Sequence, residues 1–222
     1  MENSTANVIG AWLQREKAEK IERFRHLNPY VRKGQILFAG SSLMEQFPIY
    51  EFILDYELPF TIYNRGIGGF TTSELLHSMD ECIFDLAPTV LFLNIGTNDL
   101  NEPDYDEKGM LARYEQILQR IIERLPQIKM FLLAYYPVNP KISDNPYLQE
   151  TFRYRTNERI LKANKGVREL AERYGAQYLD LNAGLTDAEG NLKAEYTIEG
   201  MHMYANGYKA VLDVLLPTLF EV

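Results

Sequence analysis

Val90-Leu91-Phe92-Leu93-Asn94-Ile95 is the segment that most restricts the fold. Its apolar residues occupy both faces of an extended chain instead of alternating with polar ones, as required of a strand buried on both sides in a parallel sheet. The run stops at Gly96-Thr97-Asn98-Asp99. Gln35 to Ala39, Met130 to Tyr135 and Gln177 to Leu181 have the same character, and the shorter Thr61 to Asn64 breaks into Gly66-Ile67-Gly68-Gly69. Between these runs the period changes to that of helices: Phe47 to Leu58, Thr71 to about Phe84, Met110 to Leu125, Gln149 to Tyr174 and Asn206 to Leu216. Thr71 and Glu74 fit a capping box, Pro126 stops the third of these helices and Gly175 the fourth. Alternation of this kind predicts an α/β fold, a parallel sheet covered by helices on both sides.

Ala6 to His26 reads as a further helix, with Val8, Trp12, Ile21 and Phe24 spaced among many charges and Asn28-Pro29 ending it. Residues 1–30 are expected to form a peripheral arm that packs on the domain or on a second copy in a homodimer. Within 222 residues no Pro/Gly/Ser-rich linker or change of composition divides the chain, so a single domain over 1–222 is expected. Disorder is excluded beyond the ends by 46% apolar residues. The 23 Lys and Arg against 31 Asp and Glu give a net charge of −8 with no basic block, which argues against nucleic-acid binding. Cys82 is alone and forms no internal disulfide. The start lacks a signal peptide and no run reaches the ~18 apolar residues of a membrane span, so a cytoplasmic protein is expected.

In open parallel sheets, sites gather at the carboxyl ends of the strands. Ser42, Gly69, Asn98 and His202 each follow one of the predicted strands. Ser42 sits in Gly40-Ser41-Ser42-Leu43, where a hydroxyl stands exposed as a nucleophile; Ser42 and Glu45 also fit the S-x-x-E capping box, which would make it a helix cap. Of the three histidines only His202 lies in a loop beyond a strand end. Glu199, three residues earlier, shares its face if Thr197-Ile198-Glu199-Gly200-Met201-His202 makes a helical turn. Glycine at 69 admits close approach of a ligand to backbone, beside the amino end of the helix near Thr71, and Asn98 has an amide donor to offer; a tight turn and a turn asparagine are the plainer alternatives. Acyl transfer by serine needs such a set: nucleophile, base, orienting carboxylate and oxyanion donors. No G-x-S-x-G, P-loop, complete G-x-G-x-x-G or H-E-x-x-H is present.

Taken in order, these blocks resemble the SGNH hydrolases, also called the GDSL lipase/esterase family, and look most like its platelet-activating-factor acetylhydrolase-like branch. The resemblance spans Gln35 to Tyr208. The family's G-D-S-L serine falls on Ser42, its oxyanion glycine on Gly69, the asparagine of G-x-N-D on Asn98 and the histidine of D-x-x-H on His202. The resemblance implies a three-layer, flavodoxin-like α/β/α fold with a five-stranded parallel sheet, no metal or organic cofactor, and a serine esterase with a Ser42-His202-Glu199 triad acting on small acyl esters. Ser41 and Glu199 stand where the family usually has aspartates. Two other functions remain open: a carbohydrate O-deacetylase, for which Tyr135-Tyr136-Pro137 near the expected cleft speaks, and a non-catalytic binding module that keeps the fold.

Overall fold

The structure is a computed structural model that describes residues 2–222. Five strands form one sheet in the order β2-β1-β3-β4-β5, every neighbouring pair parallel: β1 Ile36–Gly40, β2 Ile62–Gly66, β3 Val90–Asn94, β4 Lys129–Leu133 and β5 Gln177–Leu179. This is the α/β layering predicted above. The strand order reverses between β1 and β3, so the loops after these strands flank the crevice where open sheets bind ligands.

One face of the sheet buries Leu37, Leu91, Leu93 and Leu132 beneath α5 (Met79–Cys82), α6 (Glu107–Arg124) and α8 (Asn157–Arg173). The other packs Phe38, Phe92, Phe131 and Leu133 under α3 (Ile49–Asp55) and α9 (Ala205–Phe220), with the Phe92 and Phe131 rings stacked at 4.6 Å. The doubly apolar pattern of β3 has its cause here, since both faces are covered.

Several elements depart from expectation. The helix from Thr71 is broken at Ser78 into α4 (Thr72–His77) and α5. The segment read as one helix from Gln149 is two, α7 (Pro146–Tyr154) and α8, because Thr156 turns extended and accepts the N–H of Arg159 as a new cap. β2 runs on through Arg65, whose guanidinium is buried on Asn28 Oδ1 and over the Phe24 ring. The last helix continues past Pro217 to Phe220. Among the described residues no helix is long and apolar enough to cross a membrane.

The long amino-terminal helix, α1 (Glu2–Leu27), presses Ile21 and Phe24 onto the core. Farther forward it is seated by charge. Lys17 Nζ donates to the Gly69 carbonyl (2.9 Å) and pairs with Glu74 (2.7 Å), and Lys20 pairs with Glu45 (2.6 Å). Glu74 also completes the capping box predicted with Thr71. Burial pushes its carboxyl up, but the Lys17 and Thr71 hydrogen bonds outweigh this and hold it below its ordinary value of 4.5.

At the end of β1, Gly40 has φ +149°, and a Cβ there would stand 2.0 Å from the Asn94 carbonyl oxygen. Gly40→Ala should therefore lose about 2–3 kcal/mol of stability in denaturant melts; a loss under about 0.5 kcal/mol would show that the strand ends have room to spare. Lys17→Met tests the seat of α1. Because the folded carboxyl of Glu74 is depressed, the stability that Lys17 contributes is complete above 4.5 and is lost as pH falls through the folded value. The variant should melt earlier than the parent at neutral pH, and the gap should close in acid. A gap of equal size in both would place the effect outside this ion pair.

Candidate active site

Ser42 opens α2 (Ser42–Glu45), with Ser41 in the extended conformation before it. The capping box considered for Ser42 and Glu45 does not form. Glu45 turns away to accept the Gly68 N–H (2.7 Å) and pair with Lys20, tying the loop after β1 to the loop after β2. The Ser42 hydroxyl lies 2.8 Å from His202 Nε2 instead. The Ser41 hydroxyl is buried with no hydrogen-bond partner among the described residues.

His202 Nδ1 is 2.5 Å from Glu199 Oε1, which also accepts the His202 backbone N–H at 3.1 Å. A carboxylate only accepts, so Nδ1 carries the ring proton and Nε2 is left to accept from the serine. The turn holding this pair is braced locally. Thr197 Oγ1 accepts the Gly200 N–H and donates to the His202 carbonyl, both at 2.8 Å. Gly200 has φ +102° and lies so close to the Asn139 carbonyl that a Cβ would come within 2.3 Å of it. The proline-rich loop after β4, Pro137 to Tyr147, supports the histidine turn from behind: the Asn139 N–H donates to the Gly200 carbonyl at 2.7 Å. Tyr135 and Tyr136 are buried in the two cores and line no cleft. Only Tyr147, at the far end of that loop and already in α7, reaches the site.

The remaining candidates converge on the same place. Gly69 adopts φ +74°, and among the described residues neither its N–H nor that of Ser42 donates to another group. Asn98 gives one amide hydrogen to the Phe70 carbonyl (2.9 Å), while its Oδ1 accepts from Arg155 Nη2 (2.7 Å). Its second amide hydrogen remains for the cleft. Asp99 stays behind the site, where it accepts the Thr72 N–H (2.9 Å) and pairs with Arg113, pinning α4 behind Gly69.

Ser42, Gly69, Asn98 and His202 line a single cleft of 710 Å³. Part of the wall is α1, with Trp12 and Leu13, and part is α7, with Tyr147, Leu148 and Thr151. Arg155 was not anticipated. Helical periodicity places it in mid-helix, and the Thr156-Asn157-Glu158 start signal just after it is the available cue to a helix break. Among the described residues, no three His, Cys, Asp or Glu side chains converge as a metal would need.

A hydroxyl held against an imidazole nitrogen, the ring itself oriented by a carboxylate, beside free N–H donors, is equipped for acyl transfer. Known proteins resemble the chain over most of its length. The platelet-activating factor acetylhydrolase IB subunit alpha2 of Rattus norvegicus is 25% identical over 192 residues, covering 86% of this chain and 78% of that one. An Escherichia coli N-acylneuraminate cytidylyltransferase is 26% identical over 205 residues, covering 88% of this chain but 44% of that longer one. A solved Streptococcus pneumonia structure, described as a candidate platelet activating factor, superposes with a TM-score of 0.87 at 33% identity, covering 98% of this chain and 99% of its own. The model of the GDSL-like Lipase/Acylhydrolase family matches residues 39–210, a span that contains every residue of the cleft's serine, glycine, asparagine and histidine loops named above. With most of its length so matched, the chain belongs to the GDSL-like lipase/acylhydrolase family and is an ester hydrolase.

Proposed function

We propose that this chain is a single-domain serine esterase that releases small, acetyl-like acyl groups through an acyl-enzyme. The observation that carries this reading is the continuous relay from Ser42 Oγ to His202 Nε2 (2.8 Å) and from Nδ1 to Glu199 (2.5 Å). Ser42 Oγ bonds to the ester carbonyl carbon as its proton passes to Nε2. Glu199 stabilises the imidazolium, and the longer side chain spans the role that aspartate has in relatives. The carbonyl oxygen, now negative, is held by the N–H groups of Ser42 and Gly69 and by the Asn98 amide. His202 returns the proton to the departing alcohol. It then takes one from water, whose oxygen attacks the acyl carbon; the bond to Ser42 Oγ breaks, Oγ recovers the proton from His202, and the acid leaves.

Short acyl groups suit a cleft whose oxyanion donors come from three separate loops and whose walls are two separate helices. The name of the rat relative, an acetylhydrolase, supports the same reading. A second reading, carbohydrate O-deacetylation, draws on Trp12 and Tyr147, which line the cleft while 57% and 73% exposed. Exposed aromatic faces offer stacking surface to a sugar ring. A purely binding module gives no account of a serine kept within hydrogen-bond reach of a correctly polarised histidine.

A panel of chromogenic esters of increasing acyl length, run beside a serine-reactive phosphonate, tests the proposal. Turnover should favour the shortest esters, and labelling should vanish in Ser42→Ala. Labelling that survives this change would mean a different nucleophile, and inertness of the parent to both reagents would favour the binding module. Glu199→Gln should lower kcat by about 10⁴, because an amide favours the wrong imidazole tautomer. A loss below about tenfold would leave a Ser42–His202 dyad with Glu199 outside the machinery. If sugars are the leaving groups, Trp12→Ala and Tyr147→Ala should raise KM for acetylated oligosaccharides and leave simple acetate esters unchanged.

A further inference from the structure

Arg155 lies between the end of α7 and the start of α8 and is 2% exposed. A cation that deep is ordinarily matched by a carboxylate. Here its contacts are neutral: Nε donates to Asn101 Oδ1 (2.8 Å), Nη2 to Asn98 Oδ1 (2.7 Å), and Nη1 lies against Met201 Sδ (2.5 Å). Among the described residues no acidic group is within ion-pair distance of it. Burial pushes the guanidinium down to about 10, partly offset by Tyr147, Glu199 and Asp99, so the group stays charged at neutral pH.

We propose that Arg155 is the positioning residue of the oxyanion site, setting the sense of the Asn98 amide and holding an unpaired positive charge behind it. This rests on the reading of Asn98 as an oxyanion donor. A primary amide can sit either way round, and its direction follows from its partners. A guanidinium only donates, so it compels Oδ1 to face Arg155 and turns Nδ2 toward the Phe70 carbonyl and the cleft. The charge has a second use. Attack by Ser42 adds a positive charge on His202 and a negative one on the carbonyl oxygen, and Arg155 stands on the side where the negative charge grows, in a medium that screens it poorly. Through Met201 the same guanidinium also touches the residue that precedes His202.

The test uses the full chain and a short ester, with Arg155→Met, Arg155→Lys and Asn98→Ala, alone and combined. Arg155→Met should lower kcat by on the order of 10² with KM changed less than about threefold, the pattern of an interaction made in the transition state. Arg155→Lys keeps the charge but replaces the planar fork with a single ammonium, so it should recover roughly tenfold of that loss. In the Asn98→Ala background Arg155→Lys, which keeps the charge, should cost less than about threefold because the group being positioned is gone, and Arg155→Met should cost no more than about tenfold, the share left to the charge alone. Equal losses in both backgrounds, or a rise in KM alone, would overturn the proposal. If thermal melting shows that Arg155→Met does not fold, the Arg155→Lys pair of backgrounds reads the same coupling. An unimpaired Asn98→Ala enzyme would remove Asn98 from the oxyanion site and this proposal with it. An impaired Asn98→Ala with full additivity would overturn the role of Arg155 alone.

Discussion

Three parallel backbones end at one level in this protein, and the site depends on how closely they end. Gly40 is in register with Gly66 on one side and Asn94 on the other. The ladder then continues one residue farther, as Ser41 donates to the Asn94 carbonyl and Ile67 to that of Gly40. Side chains have no room at two of the three ends: a Cβ on Gly66 would come within 2.2 Å of the Glu45 backbone nitrogen. The tight seam brings the first turn of α2 directly over β2. Ser42 and the Gly68-Gly69 turn thereby become neighbours through backbone geometry, before any side chain takes part.

Around that seam, carboxylates do the holding. Glu45 accepts the Gly68 N–H, Asp99 the Thr72 N–H, Glu74 the Thr71 N–H, and Glu199 the His202 N–H. Each ties a loop or helix start to another element or closes its own turn, and charge-assisted bonds of this kind are stronger and shorter than neutral ones. The donors left over are those of Ser42, Gly69 and Asn98, which face the cleft. Loops stiffened through their other polar groups keep a fixed geometry without a ligand present, which is the condition for electrostatic preorganisation.

The sheet was legible because strands covered on both sides must be apolar on both sides, so β1, β3 and β4 stand out from their flanks as runs. Their ends were less legible. β2 extends through Arg65 only because Asn28 and Phe24, distant in sequence, bury its guanidinium. The residues brought together at the cleft were visible as short motifs at strand ends, yet the pattern at Ser42 and Glu45 served two local readings equally well. A tertiary contact decided it, with His202 engaging the serine and Gly68 the glutamate. Arg155 lies in a stretch whose helical periodicity hides the break, and its partners come from two other loops, Asn98 and Asn101 after β3 and Met201 beside His202. The proline-rich loop serves two ends, since Tyr147 at its close lines the cleft while Asn139 supports Gly200.

The seating of α1 gives the cleft an unusual sensitivity to solvent. Toward its amino end this helix leaves Val8, Trp12 and Leu13 exposed, so apolar burial contributes little there, and it is tied to the loops of the cleft by the Lys17 and Lys20 ion pairs and the Lys17 bond to the Gly69 carbonyl. Ion pairs near the surface weaken as the screening length shrinks to about 10 Å at 0.1 M salt and about 3 Å at 1 M, whereas the sheet beneath is held by burial and backbone hydrogen bonds that salt does not screen. Ionic strength therefore acts on the wall that α1 forms, and a substrate that leans on that wall will feel the salt concentration of its surroundings.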